Sequence, residues 1–100
     1  MRTHTAMEKH IVSRIMQALR ARPGVVVRKR HGTAMGVAGD PDLYGSLNGR
    51  HFEIEVKRPE GPSRLTELQS QRLREWELAG AITGVARSVE DALRILGLKG

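Results

Sequence analysis

A chain of 100 residues with 39% hydrophobic and 28% charged positions can build one modest core but not two, so a single domain over residues 1–100 is expected. No cysteine is present, which excludes disulfides and zinc-thiolate centres and suits a reducing cytoplasm, and no apolar run approaches the roughly 18 residues of a membrane span. The net charge of +6 points to a polyanion, nucleic acid first, and Tyr44, Phe52 and Trp76 are too few for base stacking, so recognition through Arg and Lys is expected.

In chain order, residues Thr5 to Ala21 predict an amphipathic helix. Met7, Ile11, Val12, Ile15, Met16 and Leu19 form one stripe, with Lys9, Arg14 and Arg20 outside it. Pro23-Gly24 ends the helix. Thr5 and Glu8 fit a capping box, which is the plainest reading of Glu8. His4 and His10 sit among polar residues and read as surface. Val25 to Arg30 is a β-branched run and predicts a strand, leading into Arg28-Lys29-Arg30-His31. The segment His31 to Gly39, with three glycines in nine residues, reads as a loop. Its basic neighbours fit phosphate contacts or a solvated strand end equally well, and His31 is a weak candidate for proton transfer.

The central stretch is Gly39 to Lys57. Asn48-Gly49 predicts a two-residue type I′ hairpin turn, because both residues tolerate positive φ. Phe52, Ile54 and Val56 then alternate with His51, Glu53, Glu55 and Lys57 on opposite faces. Counting back from the turn, Leu47 faces Arg50, Gly45 faces Phe52, Tyr44 faces Glu53, Asp42 faces Glu55, and Asp40 faces Lys57. Two carboxylates directly opposite have Cβ atoms about 5 Å apart and destabilise a strand pair unless something lies between them. A hard divalent ion such as Mg²⁺ takes oxygen ligands and keeps several waters. Beside it, Lys57 is suited to orienting a water or stabilising developing negative charge. The other reading is a solvated polar face offset by Lys57 and Arg50, with Asp40 pairing to Lys57.

Arg58-Pro59-Glu60-Gly61-Pro62-Ser63 cannot continue a sheet and connects to a second helix, Thr66 to Ala79. Leu65, Gln69, Leu73 and Trp76 share one of its faces, and Thr66 with Gln69 fits a capping box. Arg64, Arg72 and Arg74 are candidate phosphate contacts, as are Arg28, Lys29, Arg30 and Arg58. Ala81 to Arg87 predicts a strand, read as central to the sheet. Ser88 caps a last helix through Leu96, with Asp91 three residues on and Val89, Ala92, Leu93 and Leu96 facing inward. Gly97 ends it. The result is an α/β fold, a mixed β-sheet flanked by helices, with a right-handed crossover by default.

Pro41-Asp42 followed by Glu55-Val56-Lys57 resembles the PD-(D/E)XK nuclease signature. The wider pattern is similar to its VRR-NUC (virus-type replication-repair nuclease) branch: Glu8 on an early helix, Gly39 to Asp42, Glu55 to Lys57 with Arg58-Pro59, and Leu65-Thr66-Glu67-Leu68-Gln69. The resemblance covers nearly the whole chain. It implies a restriction-endonuclease-like αβββαβ core and hydrolysis of DNA phosphodiesters with Mg²⁺ or Mn²⁺ and no small-molecule cofactor. It implies Asp42 and Glu55 as metal ligands, the Val56 carbonyl as a third, and Lys57 as the catalytic lysine. Glu8 and Gln69 become candidates at the site's border, although a cap explains each of them too. It further implies a homodimer acting on branched duplex such as four-way (Holliday) junctions, in the cytoplasm of a bacterium or a phage-infected host. The competing readings are a non-catalytic DNA-binding module with the same fold, and an accessory protein whose acidic pair is structural.

Overall fold

The computed structural model describes residues 6–32, 34–60 and 64–100. Among them, α1 (Ala6–Arg20), β1 (Val25–Lys29), β2 (Leu43–Leu47), β3 (Arg50–Val56), α2 (Glu67–Leu78), β4 (Ile82–Ala86) and α3 (Val89–Ile95) follow one another in the expected order. The predicted Thr5 cap and His4 lie outside the described residues.

The strands of these residues form one mixed sheet in the order β1-β2-β3-β4. β1 with β2 and β2 with β3 run antiparallel, and β3 with β4 runs parallel. Asn48 (φ 49°) and Gly49 (φ 90°) make the β2–β3 turn in the left-handed region. The register is the one counted from the sequence, from Leu47 opposite Arg50 to Leu43 opposite Ile54. Gly45 lets β1 come close: a Cβ there would stand 1.9 Å from the Val26 carbonyl oxygen.

Ile11, Val12, Ile15, Met16 and Leu19 of α1 meet Phe52, Ile54 and Val56 of β3 and Ala92, Leu93 and Leu96 at α3 in one apolar cluster. Each fully buried aliphatic side chain there contributes about 1.5–3 kcal/mol. Met7, assigned to the same stripe, is instead exposed, being one turn beyond the sheet's cover. β4 was expected to be central and stands at the edge. Its small residues serve helix packing rather than strand neighbours: Gly84 lies under Ile95 of α3, where a Cβ would approach that side chain to 2.6 Å.

α2 covers the opposite face of β3 and β4. Its N-terminus carries the full capping box, with Thr66 Oγ1 accepting from Gln69 N and Gln69 Oε1 accepting from Thr66 N, both at 3.0 Å. At α3, Ser88 Oγ accepts from Asp91 N at 3.1 Å, and Asp91 Oδ2 accepts from Arg87 N at 2.8 Å. That backbone hydrogen bond, helped by Arg94, holds the Asp91 carboxyl below its usual pKa. With α1 and α3 on one face and α2 on the other, β3 is sandwiched, and its alternate polar residues are no longer at the surface.

Candidate functional site

The face of β3 that the alternation marks as polar is buried. Asp42, Glu53 and Glu55 are each 1% exposed or less, and Lys57 is 9% exposed. This removes the solvated-face reading, because a charge withdrawn from water needs a partner to offset its desolvation. Arg50, the other cation invoked to offset the pair, is exposed at the far end of the hairpin and donates to the Gly80 carbonyl instead.

The observed pairing reaches Leu43 opposite Ile54, one residue short of Asp42 and Glu55, and Asp42 is tied to the next residue of β3 by its side chain. β2 ends at Leu43, and Asp42 Oδ2 takes the Val56 N–H at 2.8 Å, so a side chain replaces a ladder bond. Lys57 Nζ stands 3.4 Å from Glu55 Oε2, while its backbone N–H bonds Ala86 of β4 at 3.0 Å. The expected Asp40–Lys57 pair does not form. The chain leaves the sheet at Pro41, and Asp40 turns to Trp76 Nε1 at 3.3 Å and Arg30 Nε at 3.8 Å.

The donor set fits a hard cation. It consists of two buried carboxylates and the Val56 peptide between Glu55 and Lys57, with no sulfur or imidazole. Among the described residues no group of three or more His, Cys, Asp or Glu is gathered closely enough to hold a metal by itself. An ion here would therefore complete its shell with a carbonyl and water, as Mg²⁺ readily does.

A second charged cluster lies beside the first and was not foreseen. Arg30 grips Glu53 through both oxygens, Nη1 to Oε1 at 2.5 Å and Nη2 to Oε2 at 3.0 Å. His51 Nε2 stands 2.5 Å from Glu53 Oε2, and its ring lies 4.8 Å from that of Trp76. The Arg30 guanidinium also sits 4.5 Å over Tyr44 and 5.6 Å from the Trp76 ring. Burial alone would lower the Arg30 pKa, but the Glu53 hydrogen bonds and charge, with Asp40 and Tyr44, turn the net shift upward. Arg30 further donates from Nη1 to the Pro41 carbonyl, and its backbone N–H to the Asp42 carbonyl, both at 2.8 Å. It therefore holds the segment that presents Asp42, rather than standing open for phosphate. The one sequence signal for this cluster is Trp76 on the same face as Leu73, which marks β3 as covered on its polar side.

The remaining candidates are spread out. Glu8 is half-buried in the first turn of α1. Lys9 and Ser13 share a groove with Lys29, which places that end of α1 by the end of the sheet where Asp42 lies. Gln69 lines a second groove of about 610 Å³ with His31, Asp40 and Pro41, its carbonyl occupied by the cap. Arg28, Arg64 and Arg74 are exposed. Arg72 is tied to the Ala38 carbonyl and Glu75. Arg58 is half-buried, with its Nε buried and lacking a hydrogen-bond partner.

No protein-family model matches the sequence, and no curated protein matches it. Solved structures match its fold. One, described as a "VRR_NUC domain protein", superposes with a TM-score of 0.72 at 19% identity, covering 95% of this chain and 88% of the other. Another, described as a "VRR_NUC domain", gives 0.72 at 20% identity over 93% and 97%. The chain has the fold of these domains. Among the described residues, no helix is long and apolar enough to cross a membrane.

Proposed function

We propose that the protein is a VRR-NUC nuclease, a Mg²⁺- or Mn²⁺-dependent endonuclease that hydrolyses DNA phosphodiester bonds. The observation that supports this best is the burial of Asp42, Glu55 and Lys57 together at the end of one hairpin. A stable fold gains little from enclosing two carboxylates and a lysine, since well-packed apolar residues serve stability as well or better.

Asp42 and Glu55 would hold the ion, which would supply a water of lowered pKa and offset phosphoryl charge. The chain's own groups do the positioning. Asp42 is fixed by the Val56 N–H and, through its backbone, by Arg30. Lys57, held near Glu55, has ammonium donors to turn towards a phosphate oxygen as its charge grows in the transition state. Arg28, Arg64 and Arg74 are the exposed candidates for backbone contacts from the substrate, and Glu8 and Gln69 border the site.

The described residues offer one such centre, so cutting both strands of a duplex together requires two copies. We read the working form as a homodimer acting on branched duplex, with four-way junctions the first candidate. A monomer by light scattering at assay concentrations would count against this.

One observation favours a non-catalytic DNA-binding module: Asp42 and Lys57 already have partners inside the fold. The two readings separate in one experiment. Labelled four-way junction, flap, single-stranded and linear duplex DNA are incubated with the protein in Mg²⁺, Mn²⁺ or EDTA, beside Lys57→Ala. Metal-dependent cutting that the variant loses is expected. Binding without cutting in every metal condition would replace the nuclease with the binding module.

A further inference from the structure

On the face of the sheet away from the carboxylates, α1 and β1 enclose a groove of about 540 Å³. Lys9, Ser13, Gln17 and Arg20 line it from successive turns of α1, and Lys29 lines it from β1. Val12 and Met16 form its floor and are themselves buried, so the surface on offer is polar. No carboxylate lines it. Among the described residues no ion pair involves Lys9, Arg20 or Lys29, whereas Arg30, Lys57, Arg72 and Arg94 on other surfaces each stand within 4.0 Å of a carboxylate oxygen. Three cations with no carboxylate beside them therefore line a single groove.

The geometry suits a long anion. Lys9 and Arg20 are eleven residues apart on one helix face, about 16 Å at the α-helical rise, which matches the axial length of roughly five base pairs of duplex. Arg20 stands just before the turn into β1, and Lys29 lies at the other end of that strand. Lys29 pairs with Leu43, the neighbour of Asp42, so the groove runs up to the end of the sheet that carries the carboxylates.

We propose that this groove holds the sugar-phosphate backbone of a DNA duplex arm, without reading its sequence, and so anchors the arm that lies behind the cleavage site. The assignment rests on DNA being the substrate, and its test is independent of cutting. Binding of a labelled linear duplex is measured by fluorescence anisotropy in EDTA over a series of KCl concentrations. The wild type is compared with Lys9→Gln/Arg20→Gln and with Arg50→Gln/Lys99→Gln, a control that removes the same charge from other exposed positions. Each phosphate contact contributes about 0.9 to the slope of log affinity against log salt. The groove variant is expected to lower that slope by about 1.8 and the control to leave it unchanged. Adding Lys29→Gln to the groove variant brings the fall to about 2.7.

An unchanged slope in the groove variant, an equal fall in the control, or no duplex binding by the wild type would each overturn the proposal. If groove-dependent binding in EDTA is found with no cutting in Mg²⁺, this site stands and the nuclease reading falls. Cutting in Mg²⁺ with an unchanged slope gives the reverse.

Discussion

Replacing Arg30 with Met tests whether the Arg30–Glu53 pair is a structural clamp. Glu53 is fully buried, and Arg30 is about a quarter exposed. With the charges about 4 Å apart and an effective dielectric of about 20, their attraction is about 4 kcal/mol. Removing one member of a buried pair strands the other, at a cost of about 3–5 kcal/mol. His51 still touches Glu53 Oε2, so the expected loss is at the lower end, about 3 kcal/mol. For a domain of this size that lowers Tm by about 12–24 °C. Urea and thermal unfolding followed by circular dichroism at pH 7 measure it. Glu53→Gln in the Arg30→Met background should recover much of the loss, since no buried charge is then left alone. A loss below about 1 kcal/mol, the size found for surface pairs, would refute the clamp.

Three further outcomes are expected. Asp42→Ala leaves the Val56 N–H unsatisfied and should cost about 1–3 kcal/mol, while Asp42→Asn keeps an acceptor and costs less. Both should abolish metal-dependent cutting, and persistent cleavage by a clean Asp42→Asn preparation would remove the site assignment. Gly45→Ala should destabilise by about 3 kcal/mol or more, because its Cβ would meet backbone rather than a movable side chain; an unchanged urea midpoint would show that β1 can shift freely. The lowered folded pKa of Asp91 means that its stabilisation is complete above its ordinary value near 3.8 and is lost as pH falls through the lower folded value. Asp91→Asn should thus be less stable than the wild type at pH 7 and match it in strong acid, and a deficit that persists at every pH would contradict this.

The hairpin was legible because Asn48-Gly49 fixes a turn type, and the turn type fixes every pairing back to Leu43. Counting one residue further sets Asp42 against Glu55. Glu53 was not legible. Alternation assigns residues to faces but does not say which face is wet, and a strand covered by helices on both sides buries its polar members too. The edge position of β4 was hidden for a similar reason. Small and β-branched residues satisfy a close helix as well as a neighbouring strand, and Gly84 is small on account of Ile95. Arg30 read as one of three adjacent cations, and nothing local distinguishes it from Arg28 and Lys29. Its partner is 23 residues away. Gln69 carried two meanings from the start, and the cap geometry supplies one of them without excluding a place at the groove.

Asp42, Glu55 and Lys57 all belong to the β2–β3 hairpin and its immediate ends, and this bears on the order of folding. Pairing across a two-residue turn closes a very short loop on the microsecond scale, whereas the parallel β3–β4 pairing must wait for α2 to form and cross over. These three side chains can therefore meet while much of the chain is still unstructured, and the later elements serve to bury and lock them. Pulse-labelled hydrogen exchange should show amides of β2 and β3 protected before those of β4, and simultaneous protection would contradict that sequence of events. On this account, slow steps in folding reside in the crossover, and a substitution in the Asn48-Gly49 turn delays the assembly of the site more than one in α3 of equal cost to stability.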